Sequence, residues 1–244
     1  MTSNTAKKQP RTKATTGTNV VPFVESGIAR LNRPRPPADL LTMDGLMAGG
    51  CFVAAPELVE WFRAAYLEID GPLYSEDHIH LRDAAIGALW TNADNVKQGR
   101  RVLGQAEMPA RSLGKSGAWQ RARGEQQMRE WFDGIVPDFV LTFDAVFANQ
   151  CDDATFCALV DHELCHCAQA VDEFGMQRWN QQTGDPIWAI RGHDVEEFVS
   201  VVRRFGIEAA GEQATDLVIA AAQKPEIAPV RLSLACGTCL QRAA

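Results

Sequence analysis

The chain has 244 residues and a mass of 26.8 kDa, enough for one well-cored domain with extensions and too little for more than two small ones. With 46% apolar and 23% charged residues the composition is globular, which excludes wholesale disorder. The apolar stretch Leu46 to Ala55 is about ten residues long, well short of the roughly 20 that a bilayer span needs.

No membrane association is therefore expected. The N-terminal stretch carries charge but no apolar core of the kind a secretory signal requires. Seven cysteines, an odd number without a framework spacing, suit a reducing compartment, and the expected location is the cytoplasm. Histidine is scarce, with five in the whole chain.

Charge divides the chain. Residues 1–36 hold seven Lys/Arg against the single acidic Glu25, so this part is +6 and the remainder −13. The segment is rich in Thr, Ser, Asn and Pro and ends in Arg33-Pro34-Arg35-Pro36-Pro37, so it buries too little apolar surface to offset its ordering entropy. Residues 1–38 are read as a disordered basic arm, with order expected from about Leu40. Such an arm offers a contact for nucleic acid, although the acidic body argues against a protein that is mainly a nucleic-acid binder.

Pro56 to Glu68 predicts a helix: Pro56 suits its first position, and Leu58, Trp61, Phe62 and Ala65 repeat at core-facing spacing. Ile79 to Trp90 is ambiguous between helix and strand, Arg101 to Glu107 is strand-like, and Ser116 to Phe132 reads as a surface helix closed off by Pro137. Asp138 to Phe147, β-branched and aromatic, predicts a strand, read here as an edge strand able to hold an extended peptide by backbone pairing. A helix capped by Asp152 or Asp153 follows, running to about Val171 with Val160, Leu164, Cys167 and Val171 as its buried stripe. Residues 176–192 predict a hairpin or ordered loop around Thr183-Gly184-Asp185-Pro186. A helix from Asp194 to Phe205, with Asp194 and Glu197 as a capping box, and another around Gln213 to Gln223 complete the elements. Residues 39–208 form the expected domain and 209–244 a C-terminal extension that ends near Cys236 and Cys239.

The chemistry concentrates in His162-Glu163-Leu164-Cys165-His166. Two imidazoles four residues apart lie one turn apart on a helix face, so both reach one Zn²⁺, and Glu163 beside them can take a proton from a water attacking a carbonyl. From the His and Glu content the H-E-x-x-H pattern arises by chance on the order of half a per cent of the time, so coincidence is a weak explanation. The main alternative is a pair of histidines decorating a solvated helix face. A catalytic zinc takes three protein ligands and keeps one open position. Position 186 is Pro where a thermolysin-like Glu would stand, with only Asp185 near; Gln169 and Asp172 do not complete a metzincin-like extension. His193, 27 residues after His166, is the favoured third ligand.

Here HELCHCAQ followed by RGHDVEEFVSVVRRFG resembles the phage metallopeptidase family and the general plan of SprT-like and Spartan zinc peptidases, over about Leu40 to Gly206. The resemblance implies an α+β, zincin-like core in which a small mixed sheet packs on the active-site helix and further helices. It also implies His162, His166 and His193 as metal ligands, Glu163 as general base, Zn²⁺ as cofactor, and a protein or peptide substrate in a bacterial or phage-infected cell. Cys165 and Cys167 around the second ligand are a departure: thiolates can compete for zinc, but backbone direction turns neighbours of a ligating His away from the metal.

Weaker signals remain. Glu196 or Glu197 could replace His193, and Asp194 could orient it; His78 and His80, spaced like strand neighbours, could start a separate metal site. Cys236-x-x-Cys239 is half of a zinc ribbon, and Arg191, Tyr66 and Tyr74 are the oxyanion candidates. The rival to a peptidase is a non-catalytic zinc-stabilised binding module engaging a protein or nucleic acid. Three protein ligands and an open position favour the enzyme; four protein ligands favour the module.

Overall fold

The computed structural model describes residues 32–47, 50–97, 99–195, 202, 207, 212–227 and 235–236. In chain order these form α1 (Met43–Met47), β1 (Phe52–Ala54), α2 (Pro56–Phe62), β2 (Ile86–Thr91), β3 (Val96–Lys97), β4 (Arg100–Glu107), α3 (Pro109–Gly114), α4 (Ala118–Trp131) and β5 (Phe139–Asp144). Then come α5 (Ala145–Gln150), α6 (Asp153–His166), β6 (Cys167–Gln169), β7 (Trp188–Ile190), α7 (Glu212–Ala222) and β8 (Ala235–Cys236). No helix among the described residues is long and apolar enough to cross a membrane.

Pro56 opens α2 as expected and Leu58, Trp61 and Phe62 are buried; a wider π turn, Arg63–Leu67, continues it and buries Ala65, Tyr66 and Leu67. The main sheet runs β1-β2-β5-β4-β3, with β8 beside β4. β2 and β5 are parallel, β8 is parallel to β4, and the other pairs are antiparallel. With helices packed on this mixed sheet, the class is α+β, the zincin-like plan.

β5 overturns one expectation. It lies between β2 and β4, hydrogen-bonded on both sides, so it has no free edge for a peptide. The near-continuous burial of Phe139 to Asp144 is the mark of a central strand rather than an edge. The strand also stops earlier than Phe147, because Asp144 accepts the N–H of Phe147 at 2.8 Å and caps α5. Arg101 on β4 donates to the same Asp144 carboxylate at 3.0 and 2.7 Å.

α6 starts as expected, with Asp152 accepting the Thr155 N–H at 2.7 Å, but ends at His166, five residues before Val171. Cys167 turns to extended backbone and β6 pairs with β7 in the register Cys167↔Ile190. Val160, Leu164 and Cys167 of the proposed stripe are buried while Val171 is 57% exposed, so pairing with β7 overrides the helical period. α6 is anchored by Phe156, whose ring lies 5.5 Å from Phe143 and 5.7 Å from Trp90, centre to centre. The connection between β6 and β7 is ordered by turns and exposed throughout residues 171–185.

Order also begins before Leu40. Arg33 is buried, donating to Asp153 at 2.8 Å and to the Ala148 carbonyl at 3.0 Å, with its guanidinium 4.5 Å from the Phe156 ring centre. The end of the basic segment is held by charge and stacking on α5 and α6, interactions that a hydrophobicity argument overlooks. Residues 1–31 lie outside the described residues, as do most of the expected helix 194–205, Glu196, Glu197 and Cys239. His78 and His80 sit in a 3-10 helix, Glu76–Arg82, rather than in a strand.

Burial leaves a pH signature. Tyr66 donates to the Cys157 carbonyl at 2.8 Å, and burial pushes the Cys157 thiol from 9.0 up to about 12. A folded pKa above the unfolded one contributes stability that is complete below the unfolded value and lost as pH rises through the folded one. The thermal midpoint is expected to decline from about pH 9 to about pH 12, and Cys157→Ala to flatten that decline. Parallel declines in the two proteins, followed by circular dichroism, would rule out this thiol as a source.

Candidate metal centre

His162 and His166 project from the last two turns of α6, and His193 follows β7. The Nε2 atoms of His166 and His193 each lie 3.3 Å from Nε2 of His162, and the three rings stand 4.9 to 5.2 Å apart, centre to centre. The tautomer of His166 is fixed by its surroundings. Its Nδ1–H donates to the Arg191 carbonyl at 2.7 Å while the Arg191 N–H donates to the His166 carbonyl at 2.9 Å. His166 Nε2 is left with a lone pair aimed at the other imidazoles. A tetrahedral ion with bonds of about 2.0–2.1 Å to nitrogen has ligand-to-ligand edges of about 3.3–3.4 Å, which matches the observed 3.3 Å. Among the described residues, no fourth donor joins this group.

The trio opens onto a cavity of about 420 Å³. All five histidines of the chain line it. Asp77, Asp161, Arg191 and Asp194 contribute the other charges of its wall.

Glu163 is fully buried and faces the sheet: a Cβ built on Gly104 of β4 would come within 2.9 Å of its Oε1 and 3.1 Å of its Cγ. Gly104 thus makes room for the Glu163 carboxylate against β4. Gly104→Val is expected to leave metal content intact and to lower turnover by up to about a hundredfold, the scale of a 1 Å misplacement of a reacting group. Steady-state kinetics beside metal analysis tests this, and unchanged kcat would show that the carboxylate does not depend on that space.

Other expectations are corrected by placement. Tyr66 is buried with its hydroxyl on the Cys157 carbonyl, and Tyr74 faces a separate pocket with Ser75 and Ala154, so neither reaches the metal centre. Arg191 is on the cavity wall, ion-paired with Asp194. Asp194 thus pairs with Arg191, and the backbone carbonyl of Arg191 orients His166. Asp172 accepts the N–H groups of Phe174 and Met176 at 2.9 Å in an exposed turn, and Asp185 lies on the same exposed connection. Burial pushes the Cys165 thiol up to about 12 and raises Cys167 well above its ordinary value. Sequence reading had set His78 and His80 apart from the site; their H-x-H spacing was visible, their place on the same cavity was not.

An α+β body whose sheet and helix bring three imidazoles onto an open cavity is the architecture of a zincin-like metallopeptidase. The chain belongs to the family described as "Putative phage metallopeptidase", whose model matches residues 59–222. The match takes in the whole H-E-x-x-H helix, His193 and α7. No curated protein and no solved structure gives a match.

Proposed function

We propose that the protein is a zinc-dependent peptidase of the H-E-x-x-H type, with His162, His166 and His193 as metal ligands and Glu163 as general base. The observation that carries this reading is the trio of nitrogens at tetrahedral-edge spacing on an open cavity, without a fourth donor among the described residues. Three donors facing an open cavity favour a catalyst over a zinc-stabilised binding module.

When bound, Zn²⁺ supplies Lewis acidity for the scissile carbonyl and lowers the pKa of a water to about 7. Glu163 takes a proton from the attacking water and returns it to the departing amine as the C–N bond breaks. His166 is held in orientation because its Nδ1–H is committed to the Arg191 carbonyl. The substrate is a polypeptide, and the +6 charge of the first 36 residues supports a nucleic-acid contact as a subsidiary feature. Cys151, Cys157, Cys165 and Cys167 are free thiols, in keeping with action in the cytoplasm.

Removal of metal by a chelator is expected to abolish cleavage of a peptide pool, and one equivalent of Zn²⁺ per chain to restore it. Full activity in metal-free protein, or X-ray absorption revealing four protein ligands, would overturn the reading.

A further inference from the structure

We infer that His78 and His80 are positioning residues of the metal centre, clamping α6 at the residues on either side of its two ligands. The inference rests on the proposed metal centre, not on the peptidase chemistry. His78 Nε2–H donates to Asp161 Oδ1 at 2.7 Å, and Asp161 immediately precedes His162. His80 Nε2–H donates to the Cys167 carbonyl at 2.8 Å, and Cys167 immediately follows His166. Carboxylate and carbonyl can only accept, so both rings carry a proton on Nε2.

The two contacts do different work. Cys167 is where α6 gives way to β6, and carbonyls at a helix end lack intrahelical partners. His80 satisfies one such carbonyl and pins the turn into β6. Pairing of β6 with β7 then brings Arg191 onto His166 and His193 into the trio. His78, almost fully buried, ties the preceding turn to the same 3-10 segment. One short segment, Glu76–Arg82, thereby sets both ligand-bearing turns.

A second metal site is the competing reading, because His78, Asp161 and Cys165 place donor atoms within 4.8 Å of one another. The distances favour the clamp. At 2.7 Å the His78–Asp161 pair is closer than the edge of about 3.3 Å between two zinc ligands. A metal on His78 Nε2 would also leave the ring proton on Nδ1, a buried atom without a hydrogen-bond partner among the described residues, whereas ligating imidazoles ordinarily donate that proton.

The test uses Co²⁺ as the probe on the full chain, with affinity from chelator competition, stoichiometry, the visible spectrum and the thermal midpoint. One Co²⁺ per chain is expected. His80→Ala and His78→Ala should each weaken it by about 10- to 100-fold, the scale for partners behind metal ligands, and alter the visible bands. His80→Gln, whose amide can still donate to the Cys167 carbonyl, should recover most of the affinity and the bands. Because His80 is only half-buried, its variants decide the matter if His78→Ala fails to fold. Unchanged affinity and bands would overturn the clamp, as would equal losses in His80→Ala and His80→Gln. A second Co²⁺ with a sulfur-to-cobalt charge-transfer band that disappears in Cys165→Ser would replace the clamp with a second metal site. Failure of the wild-type chain to bind Co²⁺ removes the metal centre and the clamp together, whereas Co²⁺ binding without peptide cleavage sinks only the peptidase reading.

Discussion

Glu163→Gln is expected to retain one metal per chain and to lose about 10²- to 10⁴-fold in turnover, the range for removal of a positioned general base. The substitution preserves shape, and shape matters because the side chain is fully buried in the space that Gly104 leaves open. The amide does not take a proton from water, so the nucleophile is not activated and the departing amine is not protonated. Metal content should be insulated from this change: the carboxylate faces β4, while the proposed ligand atoms are the three Nε2 nitrogens. Metal analysis and single-turnover cleavage on the same sample separate the effects. A Gln variant that cleaves at the wild-type rate would end the general-base role, and one that loses metal would make Glu163 a structural support of the centre.

His193→Ala is the second large effect, and its order is reversed: metal is lost first and activity with it. Replacing a partner behind a ligand costs roughly 10- to 100-fold in metal affinity, and removal of a ligand from a set of three is expected to reach at least the upper end of that range. The fold should survive. His193 is exposed, lies after β7 and contributes nothing to the buried core, so the thermal midpoint of metal-free His193→Ala should match that of metal-free wild type. His166→Ala makes a useful contrast, because His166 is buried and bonded to Arg191, and it should lose both metal and stability. Chelator competition and thermal melts, with and without Zn²⁺, check all three statements. Retained wild-type affinity in His193→Ala would mean that a different group completes the site.

Much of the helical framework was legible because helices announce themselves locally. The stripe Leu58, Trp61, Phe62, Ala65 and the Pro at the start of α2 are near neighbours in sequence, and all four apolar residues are buried as expected. α4 and α7 appear within a residue or two of their expected bounds. Strand identity for Asp138 onward was equally local, but the place of that strand in the sheet was not. An edge and a central position differ only in what pairs on the second side, and the partners of β5 come from residues 86–91 and 104–107. The end of α6 was misplaced for the same reason. Nothing within residues 162–171 says that β7, more than 15 residues further on, will draw Cys167–Gln169 out of the helix.

By itself the sequence determined the chemistry on offer: a helix with two imidazoles one turn apart, a carboxylate beside the first, and one more histidine within reach downstream. Ligand spacing on a helix is a local property fixed by 3.6 residues per turn, so it survives any uncertainty about the fold. The tertiary structure alone decided how those groups are arranged for use. The antiparallel pair β6–β7 carries His193 back to within 3.3 Å of His162, the sheet presents a glycine where Glu163 needs space, and a distant 3-10 turn adds the remaining two histidines to the same cavity. Each of these depends on contacts between residues tens of positions apart, set by packing of the whole core and written in no single stretch of the chain.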